Sequence, residues 1–172
     1  MITSPVALSI EGQAIVDAIC ELGVTHVICV PDTNLKTVMA LLAARDVPKM
    51  MYVCTEDEAI GINAGLYMTG HKPMLLIQNN GLYACVNTIK AIALAAEVPT
   101  FMLIGQFGRD VNKRVEDSPN RAVNRLEPTL TTWGVPFERL EGPDDTSKIR
   151  RAWNTAWTAK GPAAAIVGAP TC

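Results

Sequence analysis

The chain has 172 residues, 49% hydrophobic and 19% charged, which suits one well-filled domain over residues 1–172 and leaves little for a second core. Lys plus Arg total 15 and Asp plus Glu total 17, so the formal net charge of -2 gives no field for gripping a nucleic-acid backbone. No run of about 18 uninterrupted apolar residues occurs, and no basic region leads into a long apolar one, so the expected setting is the cytoplasm, without a membrane.

Short apolar runs alternate with segments of helical period, the pattern of repeated strand-crossover-strand units. In chain order the spacing predicts a helix over 9–22, a strand over 27–30, a helix over 34–45 and a strand over 50–53. A helix over 58–68, a strand over 74–78, a helix over 83–95 and a strand over 101–104 follow. The last elements are a helix over 127–133, a strand over 137–140, a helix over 146–158 and a strand over 163–167. Gly23, Gly70 and Gly134 close the first, third and fifth helices, where a left-handed residue costs least. The stretch 107–124 is polar, carries both charge signs and has no sustained period, so it is read as a long loop. Six strands with right-handed crossovers give an α/β fold, a doubly wound six-stranded parallel sheet.

In such sheets ligands bind beyond the carboxyl ends of the strands, so the residues after each strand carry the most information. Four junctions stand out: Pro31-Asp32-Thr33-Asn34, Thr55-Glu56-Asp57-Glu58, Asn79-Asn80-Gly81-Leu82 and Gly105-Gln106-Phe107-Gly108-Arg109. None holds a GxGxxG or GxxxxGK[ST] phosphate loop, and no GxSxG elbow exists for a serine hydrolase. The five cysteines are widely spaced and lack a CxxC pair, which argues against a disulfide framework and a zinc site and for a reducing compartment. Asp32, just before a helix, suits an N-terminal cap. Glu56, Asp57 and Glu58 are all favoured by a helix dipole, yet one helix entrance does not need three acids, and spacing alone does not choose among them.

Three segments together resemble the thiamine-diphosphate-dependent decarboxylases, and among these the phosphonopyruvate and sulfopyruvate decarboxylases. Gly23-Val24-Thr25 through Val30-Pro31-Asp32-Thr33-Asn34-Leu35-Lys36 is similar to the family's opening strand and its Val-Pro-Asp-Ser-x-Leu-Lys turn, with Thr33 in place of Ser. Thr55-Glu56-Asp57-Glu58-Ala59 to Ala64-Gly65-Leu66-Tyr67 resembles the pyrimidine-domain signature, in which nine positions separate the catalytic Glu from a helix Gly. Glu56 and Gly65 have that separation, which leaves Glu58 as the structural acid. Gln78-Asn79-Asn80-Gly81-Leu82 resembles a Gln-Asn-Ser-Gly-Leu turn that borders the cofactor, with Asn80 in place of Ser. The likeness runs over roughly residues 10–168.

The resemblance implies a catalytic role for Glu56, which activates the aminopyrimidine of thiamine diphosphate, and for Asp32 as proton relay or substrate guide. It implies cofactor contacts from Glu56, Asn79, Gly81 and Leu82, and substrate contacts from Asn80. Lys36, Lys90 and Arg109 are candidate cations for an anionic substrate tail. The family's Gly-Asp-Gly motif with a downstream Asn, which holds the diphosphate through Mg²⁺, is not in this sequence, and no metal ligand is assigned here. The expectation is therefore a lone pyrimidine domain, the α subunit of a split decarboxylase of small anionic 2-oxo acids. A β subunit would bring the diphosphate and Mg²⁺ site in an α2β2 assembly or a multiple. Two other readings fit the residues: a carboligase subunit of the acetolactate-forming kind, and a non-catalytic flavodoxin-like binding or regulatory domain in which Glu56 is only a cap.

Overall fold

The computed structural model describes residues 9–172. Six strands, β1 (His26–Cys29), β2 (Lys49–Tyr52), β3 (Pro73–Gln78), β4 (Thr100–Gly105), β5 (Phe137–Leu140) and β6 (Pro162–Val167), form one sheet in the order β2-β1-β3-β4-β6-β5. Every neighbouring pair is parallel. All their carboxyl ends therefore open on one edge.

The central strands read as continuous apolar runs because both of their faces are covered. β4 and β6 are buried throughout, and in β3 only Gln78 is partly exposed. Alternate side chains divide between two cores, as the two-residue period of a strand requires. Met74, Leu76, Phe101, Leu103, Ala163 and Ala165 pack on one face with α1 (Gly12–Glu21), α2 (Lys36–Ala43) and α8 (Ser147–Ala159). Leu75, Ile77, Met102, Ile104, Ala164 and Ile166 pack on the other with α3 (Glu56–Met68) and α7 (Leu126–Thr132). On the first face Trp153 of α8 meets Phe101 edge-on, with ring centroids 5.7 Å apart, a favoured aromatic geometry.

The six expected strands all form, each within one residue of its expected ends. Gly23, Gly70 and Gly134 take positive φ at the helix ends, as expected. Several helices differ. The first begins at Gly12, because Ile10 instead bridges to Thr171, its N–H donating to the Pro170 carbonyl at 2.9 Å. The second is shorter, and the third starts two residues earlier, at Glu56. The expected helix over 83–95 is a chain of short pieces: α4 (Asn79–Ala84), α5 (Val86–Thr88) and a π-helical turn, Ile89–Leu94. Its buried stripe of Leu82, Cys85, Ile89 and Ala93 is the periodicity that reads as one helix. The stretch 107–124 ends in a helical turn, α6 (Arg121–Asn124), capped by the Asn120 side chain, which accepts from the Ala122 N–H at 2.9 Å. Among the described residues no helix is long and apolar enough to cross a membrane.

Candidate active site

The chain turns back between β1 and β3, since β2 lies outside β1 and the next crossover returns past it. Such a reversal opens a crevice at the carboxyl edge. The sequence motifs converge there: Asp32 follows β1, Glu56 opens the helix after β2, Asn79–Leu82 follow β3 and Gly105 ends β4.

The three acids at the start of α3 are separated by their surroundings. Thr55 is the cap residue, its hydroxyl accepting from the Glu58 N–H at 3.4 Å, while Glu58 Oε2 reaches back to accept from the Cys54 N–H at 3.0 Å. This reciprocal arrangement is close to a capping box. Asp57 accepts from the Thr88 hydroxyl. Glu56 instead turns inward, is only 9% exposed, and its carboxyl makes no hydrogen bond among the described residues. It lies against the bare Cα of Gly81, where an added Cβ would overlap the carboxyl and its stem. Any side chain at position 81 would thus displace Glu56.

A second acid has the same relation to a second glycine. Asp32 is 4% exposed and its Oδ2 is pressed over the Cα of Gly105, where a Cβ would overlap it. Asp32 Oδ1 accepts from the Asn34 N–H at 3.0 Å and from Gln78 Nε2 at 2.9 Å, while Oδ2 is buried without a partner. The bond to the Asn34 N–H closes a turn ahead of α2, whose cap position is Leu35 and has no side-chain cap, so Asp32 is not the helix cap that the sequence suggested. Burial and the bond to Gln78 go beyond such a turn.

Asn79, expected to border the cofactor, is fully buried, and its carboxamide is occupied within the chain. Its amide donates to the carbonyls of Phe107 and Ala122 at 3.1 and 3.0 Å, and its oxygen accepts from the Asn80 N–H at 3.1 Å. It therefore fixes the turn to the loop that follows β4. Asn80 is exposed and donates to Gln78 Oε1 at 2.8 Å, and Leu82 is buried beside Gly81 in the second core. Gln78 and Gly105, which the sequence motifs and junctions included without giving either a role, complete the cluster. Each is the last residue of a central strand.

The candidate cations are not gathered with this cluster. Arg109 donates to Glu141 Oε1 through Nε and Nη2, at 3.1 and 2.7 Å, and through Nη1 to the Asp110 and Lys113 carbonyls. Its side chain is 4% exposed, and the pair ties the ends of β4 and β5 across β6. Freeing it for a substrate would break four hydrogen bonds within the chain. Lys36 is exposed in the first turn of α2, four residues beyond Asp32, and Lys90 is exposed on the π-helical turn.

The family model described as "Thiamine pyrophosphate enzyme, N-terminal TPP binding domain" matches residues 11–122, which include every element of the crevice. The chain is 30% identical over 138 residues to the sulfopyruvate decarboxylase subunit alpha of Methanococcus maripaludis, covering 80% of this chain and 81% of that one. It is also 30% identical to the subunit of the same name from Methanocaldococcus jannaschii, over 79% of each chain. Among solved structures it is similar to a 2-oxoglutarate:ferredoxin oxidoreductase from Magnetococcus marinus, with a TM-score of 0.69 at 15% identity. That likeness is one of fold, and it covers 90% of this chain but 28% of the oxidoreductase chain. By the family match, the relatives and the order of its motifs, the chain belongs to the thiamine pyrophosphate enzymes, as their N-terminal, cofactor-binding domain.

Proposed function

We propose that this chain is the α subunit of a split thiamine-diphosphate-dependent 2-oxo acid decarboxylase, a single domain that serves the pyrimidine half of the active site. The observation that carries the reading is Glu56, a sheltered carboxyl with no hydrogen bond among the described residues, lying against a glycine in a family defined by this cofactor. A carboxyl with little contact with water and no protein partner among them is poorly satisfied, so its place is best explained by a ligand that supplies a partner. The protonatable nitrogen of an aminopyrimidine is such a group. Bare Gly81 and apolar Leu82 suit the flat ring beside it.

Thiamine diphosphate, when bound, supplies the electron sink that lets carbon dioxide leave a 2-oxo acid. Glu56 shares a proton with the ring nitrogen. Asp32, across the crevice, passes a proton or orients the substrate, and Asn80 offers its exposed carboxamide. The substrate is a small 2-oxo acid with a second anionic group, as the names of the relatives suggest. Lys36 is the better candidate for that group, because Arg109 is engaged by Glu141. The relatives are named as alpha subunits, which supports a partner here as well: a β subunit that carries the diphosphate and its Mg²⁺. Five unpaired cysteines fit a cytoplasmic setting.

The test is turnover with and without that partner, a chain bearing Gly-Asp-Gly and a downstream Asn. With thiamine diphosphate and Mg²⁺, the mixture should release carbon dioxide from sulfopyruvate in preference to aromatic 2-oxo acids. Lys36→Ala should raise KM for sulfopyruvate far more than for pyruvate. Robust turnover by this chain alone, or none with the partner, would overturn the proposal.

A further inference from the structure

The carboxyl edge holds a directed relay of three side chains that the reaction, as proposed above, does not itself require. Asn80 Nδ2 donates to Gln78 Oε1 at 2.8 Å, and Gln78 Nε2 donates to Asp32 Oδ1 at 2.9 Å. Asp32 follows β1 and Gln78 ends β3, so the second bond crosses the crevice between these strands where the topology reverses. The polarity of the relay is fixed at its buried end. A carboxylate can only accept, so the carboxamide of Gln78 must turn its NH₂ toward Asp32 and its oxygen away. That oxygen can only accept in turn, so Asn80 must give it an N–H. The Asn80 carbonyl is then left as the acceptor at the exposed end.

From this geometry we infer that Gln78 is the positioning residue of the site, holding Asp32 in place and setting which end of the Asn80 carboxamide faces the ligand. Asp32 depends on it more than its count of bonds suggests. Among the described residues the carboxylate has two donors, with Oδ2 unpartnered over Gly105, and Gln78 is the one supplied by another strand. Without it, Asp32 keeps only the Asn34 N–H, which moves with its own loop. The inference rests on the functional reading for its kinetic consequence but not for its structural one.

Two measurements test it. In the chain alone, side-chain amide NMR should find the Gln78 NH₂ slowly exchanging, and Asp32→Asn should shift both the Gln78 and the Asn80 amides, because removing the carboxylate releases the polarity of the whole relay. In the reconstituted complex, Gln78→Met, which keeps length and apolar bulk but neither bonds nor polarity, should lower kcat by up to about 10²-fold. The double variant with Asp32→Asn should be little worse than Asp32→Asn alone, since both changes remove one function. Losses in kcat that multiply, or an Asn80 amide unmoved by Asp32→Asn, would overturn the assignment. If Gln78→Met does not fold, the Asp32→Asn spectra still decide it. A wild-type complex that turns over no 2-oxo acid would overturn the functional reading, and those same spectra would still report on Gln78.

Discussion

At the entrance to α3, three consecutive acids of like charge meet three different environments. Glu58 accepts a backbone N–H, Asp57 accepts the Thr88 hydroxyl, and Glu56 faces Gly81. Glu56→Gln keeps size but cannot share a proton, so kcat of the reconstituted complex should fall roughly 10²–10⁴-fold, with slowed exchange of the thiazolium C2 proton. Gly81→Ala should produce a comparable loss by pushing the Glu56 carboxyl and its stem aside. Glu58→Gln should instead cost about 0.3–1 kcal/mol of stability and little activity. A Gly81→Ala complex of normal activity would show that Glu56 works from some other position. The sequence alone left the three acids equivalent, because all suit a helix dipole. Only the spacing of a known signature singled out Glu56, and nothing local to residues 56–58 carries the contact with position 81.

Strands were the most legible elements, because a doubly covered parallel strand writes its burial as an unbroken apolar run, as in Met74 to Ile77 and Phe101 to Ile104. The segment 79–94 was legible in register but not in form. Its buried stripe looks helical, yet the fixing of Asn79 to Phe107 and Ala122 depends on a loop far along the chain. The Arg109–Glu141 pair was invisible for the same reason, joining residues after two strands that only the folded sheet brings near. Thiol chemistry offers a check on these elements. Burial, with added repulsion from Asp57 and Glu56, pushes the Cys85 thiol up to about 12, and burial alone pushes Cys29 up to about 11. A raised thiol pKa keeps the unreactive protonated form through neutral and mildly basic pH. At pH 8 iodoacetamide should therefore label exposed Cys54 and Cys172 in the native chain, and Cys29 and Cys85 only after denaturation. Rapid native labelling of Cys85, read by peptide mass spectrometry, would mean that the break between α4 and α5 is open.

For the whole molecule, the proposed function calls for a partner chain, as the relatives' names as alpha subunits support. Light scattering of the mixed subunits should give two copies of each chain, or a multiple of two, because closed symmetry favours paired copies. A stable complex with a single copy of each would count against this. The pairing of Ile10 with Thr171 has a further consequence. Thr171 also donates its hydroxyl to the Asn34 carbonyl at 3.1 Å, so both ends of the described chain lie together at the carboxyl edge of the sheet, beside the Asp32 loop. Residues 10 and 171 are thus held side by side, so the described chain enters and leaves the fold on one edge of the sheet.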